Sequence, residues 1–112
     1  MKTDRELLEA AAKAAGVDGE CRTENLCHDG DWGDMTVIFL ADDEGWWGPL
    51  HDDGDALRLA VKLGMSMDTA LGQSLAIALG GGECVERHAD DPYAATRRAI
   101  VCAAAAMVTS LL

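Results

Sequence analysis

Apolar positions recur at helical spacing in three stretches of this chain and gather into short β-type runs between them. The first helical stretch opens on Thr3 and Glu6, a capping box in which each side chain satisfies a backbone N–H near the helix start. Leu7, Leu8, Ala11, Ala14 and Ala15 then form its apolar stripe, and Gly16 is a natural stop. From Val17 to Gly33 the periodicity breaks, and the reading there is an irregular edge strand around Cys21 to Leu26. Asp34 to Ala41 predicts a buried central strand, because Thr36, Val37, Ile38 and Phe39 are strand formers and both faces are largely apolar. Asp42-Asp43-Glu44-Gly45 predicts a turn, and Pro49 excludes regular helix over Trp46 to Leu50.

The second helix starts at Asp52 or Asp53, with Asp55 favouring its positive end. It carries Ala56, Leu57, Leu59, Ala60 and Leu63 on one side and stops at Gly64. Gln73 to Leu79, Gly80-Gly81-Gly82 and Glu83 to His88 read as two strands joined by a glycine turn. A helix from Asp68 to Leu79 is the rival reading, since Ala70, Leu71, Leu75, Ala76 and Leu79 also fit a helical period; Ser74 and the glycines favour the hairpin. The last helix has Asp91 as N-cap, Pro92 at its first position and a stripe of Ile100, Val101, Ala104, Met107, Val108 and Leu111. The alanines from Ala103 to Ala106 allow close packing. The expected fold is α+β: a small single-domain sandwich over residues 1–112, with three helices packed on an antiparallel or mixed sheet of three to four strands.

Composition sharpens this picture. At 112 residues and 49% hydrophobic, one packed domain is expected, with aliphatics and alanine building the core because aromatics are few. The charged N-terminus does not read as a signal peptide, and the longest apolar run, Ala99 to Val108, is about half a membrane span. Cys21, Cys27, Cys84 and Cys102 are expected to be reduced thiols in the cytoplasm. The net charge of −11 disfavours direct binding to nucleic acid or to an anionic membrane.

That charge is concentrated. Between Thr23 and Ala56 there is no lysine or arginine, yet ten of the twenty acids lie there. A solvated face with helix-capping aspartates accounts for part of the cluster. The sharper reading is a docking surface for a basic host protein, built from Asp42, Asp43, Glu44, Asp52, Asp53 and Asp55 with Trp46 and Trp47 as anchors.

Candidate chemistry is sparse. Cys21, Cys27, His28, Cys84 and His88 match no common zinc spacing, so no metal is expected. His51-Asp52-Asp53-Gly54-Asp55 lacks the alternation and terminal Glu of a calcium loop. His51 with Asp55, or His88 with Asp90, has no nucleophile or oxyanion feature beside it, and the triple glycine lacks a phosphate-loop context. No cofactor and no enzymatic activity are expected.

Three blocks resemble a known family. Glu6-Leu7-Leu8-Glu9-Ala10-Ala11-Ala12-Lys13-Ala14-Ala15-Gly16, the run from Trp47-Gly48-Pro49-Leu50-His51-Asp52-Asp53-Gly54-Asp55 to Gly64, and Ala94-Ala95-Thr96-Arg97-Arg98-Ala99-Ile100-Val101 together resemble small phage and prophage proteins with the phage ABA-sandwich domain. The likeness covers about half of the chain. It implies helices against a sheet and no enzyme activity. Gly48 stands where that pattern leads us to expect Asn, and the doubled Trp is unusual.

A phage setting makes an anti-CRISPR type of inhibitor, acting on a host nucleic-acid-handling defence complex, the leading expectation. Its alternatives are a small-ligand protein for a signalling nucleotide and a homodimeric structural or regulatory protein joined through the alanine-rich last helix.

Overall fold

The computed structural model describes residues 3–42, 45–78 and 82–109. Helix α1 spans Asp4–Ala15 and begins as its capping box predicts: the Thr3 hydroxyl accepts from the Glu6 N–H, and the Glu6 carboxylate accepts from the Thr3 N–H, each at 3.2 Å. Gly16 ends it at φ 72°, the left-handed conformation that glycine adopts without Cβ strain. Its buried face is Leu7, Leu8, Ala11, Ala12 and Ala15, so Ala12 rather than Ala14 completes the stripe.

Strands β1 (Gly19–His28) and β2 (Asp31–Leu40) form one antiparallel hairpin running in register from Gly19↔Leu40 to His28↔Asp31. The expected irregular edge strand is thus a regular strand of ten residues. Its cause is Asp29-Gly30, a two-residue turn with both φ angles positive (53° and 85°), the geometry whose twist matches that of the flanking strands. Strand β3 (Trp46–Trp47) pairs with β2 on the other side, leaving β2 central as expected.

Helix α2 spans Asp53–Lys62 and is capped by Asp52, whose carboxylate accepts from the Asp55 N–H at 2.7 Å. Ala56, Leu59 and Ala60 are buried, while Leu57 of the expected stripe is 60% exposed. After it come β4 (Ser66–Asp68), β5 (Gln73–Ile77) and β6 (Glu83–Arg87), an antiparallel sheet in the order β4-β5-β6. The hairpin reading of this region therefore holds over the helical one. The tip of the glycine turn lies outside the described residues, though Ala78 N–H still donates to the Gly82 carbonyl at 2.6 Å. Strand β4 was not expected; it is three residues long and exposed throughout, so it carries no hydrophobic alternation.

Helix α3 (Pro92–Thr109) is capped by Asp91, which accepts from the N–H groups of Tyr93 and Ala94 at 3.0 and 3.1 Å. It packs α1 on one side and β5 and β6 on another, with α2 also against it. Its buried residues, Ala99, Ile100, Val101, Ala103, Ala104 and Ala105, therefore spread around the helix instead of forming one stripe. Met107 and Val108 are half-buried, and Leu111 lies outside the described residues.

The architecture is α+β with three helices, but the strands make two three-stranded antiparallel sheets instead of one sheet of three or four. The first sheet stops growing because β3 pairs for only two residues before Gly48-Pro49 turns the chain away. The segment after α2 then builds its own sheet against α3. Cys84 on β6 and Cys102 on α3 form a disulfide across that contact, at a Cα separation of 5.9 Å, which corrects the expectation of reduced thiols throughout. Among the described residues no helix is long and apolar enough to cross a membrane.

Candidate functional site

Much of the acidic cluster is engaged within the chain. Asp52 caps α2 and accepts from His28 Nε2 at 2.9 Å. Asp55 takes the Gly48 N–H at 2.9 Å and an Arg58 guanidinium N–H at 2.7 Å. Asp53 pairs with Arg97 at 2.6 Å, while the same guanidinium donates to the Leu50 carbonyl at 3.0 Å. Arg58 and Arg97 enter from outside the acidic segment, and the carboxylates beside Arg58 push its pKa up. Trp46 stands edge-on to the His28 ring, centroids 5.5 Å apart, and Trp47 packs against the core; both are half-buried. A Cβ at Gly48 would sit 2.7 Å from the Trp46 ring and 2.8 Å from Val37, so the indole fills the space a side chain at 48 would need. Asp42 is exposed in the turn, and Asp43 and Glu44 lie outside the described residues.

The far end of the hairpin differs. Cross-strand partners share a face, so Cys21, Ile38 and Trp47 lie together on the side that carries the core, with Cys21 and Ile38 buried. Burial of Cys21 pushes its thiol up, towards the unreactive form. Further out along that face come the Thr23–Thr36 hydroxyl pair at 2.9 Å, Asn25 donating to Asp34 at 3.4 Å, and Cys27 opposite Trp32. Trp32 is 72% exposed. Asp34 follows two residues on along the same face, Asp31 is its neighbour on the opposite face and Asp29 sits in the turn. All three are exposed, and among the described residues no lysine or arginine pairs with them, although His28 Nε2 lies 3.6 Å from Asp29. The nearest guanidinium on β1, Arg22, is turned away: it binds Glu20 at 2.7 Å and lies over the Phe39 ring at 5.0 Å. The two charges reinforce each other, Arg22 lowering the Glu20 pKa and Glu20 raising that of Arg22. Trp32 was absent from the partner set read from the sequence; Asp29-Gly30 followed by strand alternation is the signal that would have placed it on an open face.

Beyond β3 the edge of β2 is closed by a side chain. The Thr36 N–H donates to His51 Nε2 at 3.2 Å, which requires an unprotonated Nε2. Burial and the nearby Arg97 charge both push the His51 pKa down, consistent with that acceptor role.

A groove of about 670 Å³ lies between α2, β4 and the start of α3. Leu57, Met67, Tyr93 and Ile100 line it, the first three exposed. Two other lining residues, His88 and Thr96, are hydrogen-bonded to the almost fully buried Ser74, through His88 Nε2 at 2.9 Å and Thr96 Oγ1 at 2.7 Å. Thr96 donates to the Pro92 carbonyl, so the Ser74 hydroxyl donates to Thr96 and His88 Nε2–H donates to Ser74. The proton order is opposite to that of a serine activated by a histidine base. The contact braces α3 on β5. Of the residues weighed as zinc ligands, Cys84 is in the disulfide, His28 binds Asp52 and His88 binds Ser74. Among the described residues no three His, Cys, Asp or Glu side chains converge where a metal could be held.

No family model, no curated protein and no solved structure matches this chain.

Proposed function

We propose that the protein acts without catalysis, by binding a basic partner protein through the Trp32-bearing end of the β1–β2 hairpin. The observation that carries this reading is Trp32, 72% exposed at the hairpin end that also carries Asp29, Asp31 and Asp34, which no lysine or arginine pairs with among the described residues. A large exposed indole and a cluster of like charges both destabilise the free protein, and a basic surface relieves both on contact. A surface that ordinarily holds phosphates fits these carboxylates best. With the resemblance to phage ABA-sandwich proteins, this makes the partner a nucleic-acid-handling host defence complex, a CRISPR effector being the leading case, met in the host cytoplasm. A reducing cytosol opens disulfides, so the reading further requires the fold to survive with Cys84 and Cys102 as thiols.

The groove favours a second reading, a small-ligand protein, since its volume falls within the range of ligand pockets. Arg97 at its rim is already held by Asp53 and Leu50, which points to an apolar ligand in place of a nucleotide.

The test is capture of such a complex by the tagged protein at low and high salt, beside Trp32→Ala and a triple variant Asp29→Asn, Asp31→Asn, Asp34→Asn. Capture should fail at high salt, fail with both variants and compete with nucleic acid, while thermal stability stays within about 0.5 kcal/mol of the parent. Equal capture by parent and variants would sink the proposal.

A further inference from the structure

Strand β6 is an edge of the second sheet: β5 pairs with it on one side, α3 packs across one face, and among the described residues no strand pairs with its other side. The ladder fixes which of its backbone groups are open. Ala78 N–H donates to the Gly82 carbonyl and His88 N–H to the Gly72 carbonyl, and both pairs share the register Ser74↔Glu86 and Ala76↔Cys84. Antiparallel strands alternate bonded and non-bonded pairs. Gly82, Cys84, Glu86 and His88 therefore turn their N–H and C=O groups towards β5, and Glu83, Val85 and Arg87 turn theirs to the open edge.

The side chains of Glu83, Val85 and Arg87 also share one face. All three are exposed, whereas Cys84 is bonded to Cys102 on α3 and Glu86 lies 3.5 Å from Arg98 on the same helix. Leu75 sits across from Val85, and Ile77 beside it is 40% exposed, so a small apolar strip flanks the edge.

We propose that a second copy of this chain pairs along this edge, β6 against β6, antiparallel about a two-fold axis at Val85. In that register Val85 faces the partner's Val85, and Glu83 faces the partner's Arg87 at both ends. Each facing pair is of the bonded type, so every open N–H and C=O of the three residues finds a partner. Neither Glu83 nor Arg87 has an ion-pair partner among the described residues, which leaves both charges for the second copy. The other outer edges are poorer matches. Strand β4 offers three residues and no cation, and Arg22 on β1 is already held by Glu20. The result is one six-stranded sheet across the dimer. An edge of five residues belongs with small, reversible interfaces, below about 1,200 Å² in total.

Sedimentation equilibrium from about 10 μM to 1 mM, the range expected of a reversible contact, tests this with Glu83→Arg, Arg87→Glu and the double swap. Parent protein should dimerise with rising concentration. Each single reversal sets like charges opposite one another twice and should weaken the dimer about tenfold or more; the double swap should restore it. Amide exchange at Glu83, Val85 and Arg87 should slow as the dimer forms. A monomer throughout the range, or a dimer indifferent to the single reversals, would overturn the proposal, the latter assigning assembly to another surface such as α3.

Discussion

Reducing the Cys84–Cys102 bond should cost this protein about 3 kcal/mol of stability without changing its fold. The bond joins residues 18 apart in sequence, and closing a loop of that length removes about 3 kcal/mol of conformational freedom from the unfolded chain at 25 °C. For a domain of 112 residues that corresponds to a fall in Tm of roughly 10–15 °C. The native side is less affected, since α3 remains packed on β5 and β6, with the Ser74–Thr96 hydrogen bond at 2.7 Å still joining α3 to β5. The assay is thermal unfolding by circular dichroism with and without reductant, repeated with Cys84→Ser/Cys102→Ser. Alkylation of the denatured, non-reduced protein should label the two remaining thiols, Cys21 and Cys27, and reduction should raise the count to four. Four labels before reduction would refute the pairing. A Tm shift below about 3 °C would refute the chain-entropy argument behind the magnitude.

His51 makes stability depend on pH with a definite sign. Its folded pKa is lowered, so below the ordinary histidine value of about 6.5 the unfolded chain takes up a proton that the folded chain refuses. Stability should be level above that pH and fall as pH drops towards the folded pKa. The slope is at most about 1.4 kcal/mol per pH unit, and less for a half-buried ring screened by solvent. His51→Gln keeps an acceptor for the Thr36 N–H and should flatten this limb in a series of pH-dependent melts. Asp52→Ala removes the α2 cap and the nearer of the two carboxylates beside His28, a loss of about 1–3 kcal/mol in denaturant titrations. Asp52→Asn keeps a good cap and should lose clearly less.

Helix ends were legible because caps are local: Thr3 with Glu6, Asp52, and Asp91 before Pro92 each act within a few residues of themselves. The same locality made the hairpin after Asp29-Gly30 readable in principle, although its polar strand hid the alternation. What lay beyond the sequence was long-range. Asp53 is matched by Arg97, 44 positions later, and Asp55 by an arginine outside the acidic segment, so a cluster that looks uncompensated along the chain is partly neutralised in space. Cys84 and Cys102 likewise meet only because β6 docks on α3. Trp46 and Trp47, read as partner anchors, are both half-buried because the loop to α2 folds back past them.

Gly48 and Trp46, read above as neighbours in a crowded corner, also constrain how this sequence can drift. With the indole in place, even a methyl group at 48 collides with it and with Val37. A side chain such as Asn at 48 becomes tolerable only after position 46 has shrunk and that corner has rearranged. Positions 46 and 48 are therefore coupled: a large ring at 46 in this conformation requires glycine at 48. Related chains should show the two positions varying as a pair, a large ring at 46 accompanying glycine at 48.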